Sequence, residues 1–174
     1  KFSIPGVEKF TTSRGVRVFY LQDKLPHISV SISLGYGKIY EKSSNAGISD
    51  MLANTLNMGG SKKYPAEKLH RAIESLGGQY NVNASWEDIT ISFRFLKRHA
   101  SNASSIIKSI ISEPNIDKSY VSNARSILIE SVRRRQDKPE QLAFEKIRQI
   151  LYGGDGYGRS EEHTSELQSL LIIS

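Results

Sequence analysis

Residues 47–60 read Gly-Ile-Ser-Asp-Met-Leu-Ala-Asn-Thr-Leu-Asn-Met-Gly-Gly. On a helix, side chains at i, i+3 and i+4 share one face. Asp50, Ala53 and Asn54 stand at those positions. Imidazoles at i and i+4, with a glutamate at i+3, would bind zinc and activate a metal-bound water. This chain offers a carboxylate, a methyl group and a neutral amide instead. An asparagine amide oxygen is a poor zinc ligand, and alanine cannot take a proton. The spacing is that of a hydrolytic metal helix without its side chains. His27, His70 and His99 lie at no mutual ligand spacing and supply no substitute.

The segments around this helix must position it. The chain has 174 residues, enough for one domain with a real core. Apolar residues make up 38% and charged residues 24%, the profile of a soluble globular chain. No apolar run approaches the length needed to span a bilayer. There are no cysteines, so disulfides and thiolate metal sites are excluded. The net charge of +6 is spread along the chain. Its densest run, Arg133-Arg134-Arg135, has no interleaved aromatics and reads as a solvated helix face rather than a nucleic-acid site.

Short extended runs at 8–12 and 16–22 flank a turn at Ser13-Arg14-Gly15. Residues 27–34 alternate strictly, with Ile28, Val30, Ile32 and Leu34 on one face and serines on the other. Residues 46–58 form the motif helix, ended by Gly59-Gly60. A second helix follows Tyr64-Pro65-Ala66-Glu67 and stops at Gly77-Gly78. Strands are predicted at 79–85 and 88–96, turning at Trp86-Glu87. Helices follow at 101–112, 117–135 and 139–151. On the long one, Tyr120, Val121, Ala124, Ile127, Leu128 and Val132 form the apolar side. This order predicts an α+β domain, an antiparallel sheet with helices packed on one face. Residues 159–169 resemble a translated sequencing-adapter oligonucleotide. The expected organisation is therefore a domain at 1–158 and a non-native tail at 159–174.

In order and spacing, these landmarks resemble the N-terminal domain of pitrilysin/insulinase-type metallopeptidases, the inverzincins. The features are Ser13-Arg14-Gly15-Val16, Gly35-Tyr36-Gly37, Ala46-Gly47-Ile48, Gly59-Gly60-Ser61-Lys62-Lys63-Tyr64-Pro65, the run from Leu76 to Ser85, and Asp137-Lys138-Pro139. No single feature is specific; the ordered set is. The resemblance implies a half-domain of the pitrilysin/mitochondrial processing peptidase type. Active members carry His-x-x-Glu-His on the motif helix and bind zinc, completed by a glutamate on the long helix. Counted along this chain, that third-ligand position is Glu130, while Asp50, Ala53 and Asn54 replace the other groups. No catalytic residue and no cofactor are then expected. Asp50, Asn54 and Glu130 give too few oxygens for calcium or magnesium, and Glu130 can instead face Arg133 or Arg134.

The resemblance further implies a non-catalytic partner subunit for a homologous catalytic peptidase. Extended peptides would bind along Asn81, Asn83, Ala84 and Ser85 by strand addition. Two alternatives come with the family: a structural subunit like the core subunits of the respiratory cytochrome bc1 complex, or an active peptidase with a divergent site. The family suggests the bacterial periplasm and cell envelope, or the mitochondrion.

Overall fold

The alternation of Ile28, Val30 and Ile32 with serines produces β3 (His27–Leu34), with its apolar side toward the core and its serines exposed. The computed structural model describes residues 6–154 and 156–159. β3 pairs antiparallel with β5 (Ile89–Leu96), which pairs antiparallel with β4 (Gln79–Ala84). The strand order is β3-β5-β4, so β5 is central. Its Ile89, Ile91, Phe93 and Phe95 are buried on one face. The register sets Ile32 and Val82 opposite Ile91, giving that face a continuous apolar surface. Asn81 and Asn83 fall on the other face, opposite Ser92 and Thr90.

Three helices cover the apolar face. α1 (Ile48–Gly59) contributes Ala53 and Leu56 to the core. α2 (Ala66–Ser75) brings Leu69 and Ile73, and α3 (Ala100–Ser112) brings Ala103, Ile106 and Ile110. α1 ends at Gly60, whose φ of +66° disfavours a side chain. A Cβ there would also lie 2.5 Å from the Tyr64 carbonyl oxygen. α4 (Lys118–Gln136) packs on α1 and buries Ala124, Leu128 and Val132. α5 (Pro139–Tyr152) follows it, with Pro139 in its first turn.

The α+β class and antiparallel pairing are as expected. One sheet was expected; the strands form two. Among the described residues, β1 (Glu8–Thr11) and β2 (Arg17–Tyr20) pair only with each other. Phe10, Val16 and Phe19 remain exposed, so among the described residues this hairpin has no buried face to anchor it to the main sheet.

The start of α1 is fixed by a residue that the sequence pattern does not reveal. The Glu41 carboxylate accepts the backbone N–H groups of Gly47 and Ser49, each at 2.8 Å. Those are unpaired donors at a helix N-terminus, where a negative charge is favoured. Arg159 Nη2 donates to the same carboxylate at 2.7 Å, and Nη1 to the Glu41 carbonyl at 2.7 Å. The Glu41 side chain is fully buried and Arg159 is 7% exposed. Arg159, the first residue of the expected tail, is thus packed against the fold. The rest of the expected tail, 160–174, lies outside the described residues.

Two outcomes follow. Arg159→Ala strands a buried carboxylate and should cost about 3–5 kcal/mol in chemical denaturation; an unchanged midpoint would put Arg159 outside the fold. In the β4–β5 connection, Asp88 accepts hydroxyl hydrogen bonds from Ser33 and Ser85 at 2.5 Å and Thr90 at 3.0 Å. Those bonds, Ser33's foremost, hold its pKa below the ordinary 3.8. A depressed carboxylate stabilises the fold above its ordinary pKa, and that contribution disappears as pH falls through the folded value. NMR titration should place the Asp88 midpoint below 3.8, and Asp88→Asn should abolish this component of the acid dependence.

Candidate functional site

Asp50, Ala53 and Asn54 lie on α1 as the spacing requires, but each is already engaged. Asp50 Oδ2 is 2.9 Å from Lys38 Nζ, and both side chains are largely shielded, at 22% and 16% exposed. Lys38 comes from the short 3-10 turn Lys38–Tyr40 after β3. Gly37 brings that turn close: a Cβ on it would lie 2.5 Å from the Asp88 nitrogen and 2.6 Å from the Trp86 carbonyl oxygen. The Lys38 and Ile39 N–H groups then donate to the Ser85 and Trp86 carbonyls. An ammonium group thus neutralises the carboxylate at the first motif position. Ala53 is 4% exposed and packs into the core. Asn54 Nδ2 donates back to the Asp50 carbonyl at 2.8 Å, within its own helix.

Glu130 lies on α4, the helix that packs on α1. It sits two residues from both Leu128 and Val132, about 200° round the helix from the face that α4 buries. Its side chain is 56% exposed, and Oε1 is 3.7 Å from Arg134 Nε. The count along the chain thus lands on an exposed position of α4, where Glu130 pairs with Arg134 one turn on. Among the described residues, no three His, Cys, Asp or Glu side chains group as a metal site. The donor set therefore does not fit zinc. Asp50 is held by a cation, the general-base position is a methyl group, and neither imidazole is present. His27 accepts a hydrogen bond from Arg94 at 3.1 Å, His99 one from Arg98 at 3.1 Å, and His70 is exposed on α2.

The proposed peptide-binding residues lie together on or beside β4. β4 is an edge strand among the described residues, as strand addition requires. Asn81 and Asn83 are exposed, Ala84 and Ser85 half-buried. The Ser85 hydroxyl donates to Asp88 at 2.5 Å, and its carbonyl accepts from Lys38. Sequence reasoning missed two further residues, both joining β4 to α1. The Tyr80 hydroxyl donates to the Leu56 carbonyl at 3.2 Å. Burial pushes its phenol pKa far up, so the donor stays protonated. Asn57 exchanges two hydrogen bonds with the Val82 backbone, at 2.7 and 2.8 Å. Its spacing held the signal, because Asn57 is seven residues after Asp50 and so lies on the motif face.

The sequence profile of the insulinase family, peptidase family M16, matches residues 17–165. Subunit 1 of the mitochondrial cytochrome b-c1 complex of Bos taurus is 21% identical over 164 residues, 94% of this chain and 34% of that protein. The chain thus spans about a third of the length of the curated relatives it matches. Among solved structures, a protease from Helicobacter pylori superposes with a TM-score of 0.81 at 18% identity, covering 93% of this chain and 40% of that one. A peptidase M16 inactive domain from Pseudomonas fluorescens gives 0.77 at 17% identity, covering 90% and 38%. At these identities the structural likeness speaks for the fold. With the profile spanning most of the sequence and the motif helix in its place beside the edge strand, the chain belongs to the insulinase family, peptidase family M16.

Proposed function

We propose that this chain is a non-catalytic member of the family that acts as a partner subunit and helps bind extended peptide substrates for a zinc-bearing homologue. The carrying observation is the state of α1. The helix is kept, yet its three chemical positions hold a lysine-paired aspartate, a core alanine and a self-bonded asparagine. General-base catalysis needs a group that can accept a proton next to the activated water, and Ala53 supplies none. The edge position of β4 among the described residues supports the peptide-binding part, because an edge strand can extend its sheet by one more strand. Zinc would then belong to the partner. A second reading, a structural subunit, draws on the Bos taurus relative, which matches nearly all of this chain. Neither reading calls for a membrane span, and among the described residues no helix is long and apolar enough to cross one.

Two measurements test the proposal. Affinity purification from the native source should recover a homologue carrying His-x-x-Glu-His, and mixing the two should produce peptide hydrolysis that the chain alone lacks. Zinc-dependent hydrolysis by the isolated chain would overturn the reading. Recovery of a respiratory complex in place of a peptidase would favour the structural role. The second measurement concerns the lost site. Asp50→His, Ala53→Glu and Asn54→His together place two imidazoles and a carboxylate on α1. Zinc uptake by this triple variant should be the same with or without Glu130→Ala, because Glu130 faces away. A drop of about tenfold or more in affinity on removing Glu130 would return it to the ligand set.

A further inference from the structure

β4 presents an edge that is already occupied at its centre. In an antiparallel ladder a residue turns its N–H and C=O together, either toward the paired strand or away from it. Val82 turns both toward Asn57, so Tyr80, Val82 and Ala84 form the outward set. Gln79, Asn81 and Asn83 turn inward, opposite Arg94, Ser92 and Thr90. Asn57 Nδ2 donates to the Val82 carbonyl at 2.7 Å, and the Val82 N–H donates to Asn57 Oδ1 at 2.8 Å. One primary amide thus makes both hydrogen bonds that a residue of an added strand would make.

The chemistry is particular to asparagine. Leucine at this position would leave both Val82 groups unpaired. Aspartate would keep the acceptor and lose the donor, setting a negative charge against the Val82 carbonyl oxygen. Glutamine carries the same amide one methylene further from the helix. The clamp also ties the edge to α1, the helix that holds the motif positions.

We propose that Asn57 is a strand surrogate that gates the β4 edge, so that an extended peptide adds to β4 only when the Asn57 amide leaves Val82. This rests on the peptide-binding part of the reading above and adds its regulation. Peptide addition then requires a competing step at Val82, and a partner that shifts α1 by the reach of one side chain would open the edge. Asn57 thereby makes the idle chain resist edge-to-edge pairing, the usual hazard of an exposed strand.

The test uses the full chain with its wild-type sequence, Asn57→Ala and Asn57→Asp. Amide hydrogen exchange by NMR reads Val82 directly, and fluorescence anisotropy with a labelled peptide of alternating Val and Glu reads strand addition. The wild type should show a protected Val82 amide and weak peptide binding. In Asn57→Ala, Val82 exchange should quicken and peptide affinity rise, each by about tenfold or more, as expected for one to two net hydrogen bonds. Asn57→Asp should keep the Val82 amide protected, because the carboxylate still accepts from it. Val82 exchange unchanged in Asn57→Ala would overturn the surrogate, as would a wild type that binds the peptide as tightly as both variants. Faster exchange in Asn57→Ala with no peptide bound to any of the three chains would overturn the peptide-binding reading, and the gate with it. Exchange needs no peptide, so the two failures are distinguishable.

Discussion

The buried pairing of Glu41 with Arg159 sets the position of α1, and the architecture is organised around that helix. Glu41 gives α1 a counter-charge for its positive end and takes two N–H groups that would otherwise be buried without acceptors. A carboxylate so placed must itself be neutralised, and Arg159 does this from the far end of the described chain. With its start fixed, α1 meets its neighbours. Ala53 and Leu56 enter the core, Gly59 allows the Asn115 carbonyl to approach, and Asn57 reaches the Val82 backbone.

Much of this was legible in the sequence, for identifiable reasons. The strict alternation at 27–34 and the Ile89, Ile91, Phe93, Phe95 series each specify a face, and the register puts those faces together. Helix ends marked by Gly59-Gly60, Gly77-Gly78 and Pro139 also fell where the residue types required. The Glu41–Arg159 pair was not legible. It joins residues 118 apart with no periodic pattern between them. The exposure of Glu130 follows from helix phase. Ala124, Leu128 and Val132 had already been assigned to the buried side of the long helix, and a residue midway between two of them points away. Ile127, assigned to the same stripe, is 46% exposed, so the stripe is narrower than its composition suggested.

The motif helix also shows how the same frame can carry a different set of side chains. A carboxylate shielded at the first position needs a cation to stay ionised at low cost. Lys38 supplies one through a turn that closes against the β4–β5 connection, where Gly37 leaves room for backbone contact. The electrostatic demand at Asp50 is met within the chain, so the helix keeps its place beside the edge strand without imidazoles. A self-bonded Asn54 and a core Ala53 add no unpaired polar group to that face.

Magnitudes decide what kind of gate Asn57 can be. Two hydrogen bonds contribute about 1–3 kcal/mol net, because each replaces a bond to water. A peptide strand that displaced the amide would regain the same two bonds at Val82, so the exchange there is close to neutral. The outcome then depends on what the peptide gains at Tyr80 and Ala84 and on the ordering entropy it loses, about 1–2 kcal/mol for each backbone residue fixed. A short peptide gaining only a few backbone bonds cannot recover that loss, whereas one also held by a second surface can. On the function proposed above, the closed edge suits a chain that engages extended substrates only together with a partner. It disfavours a chain that binds peptides alone.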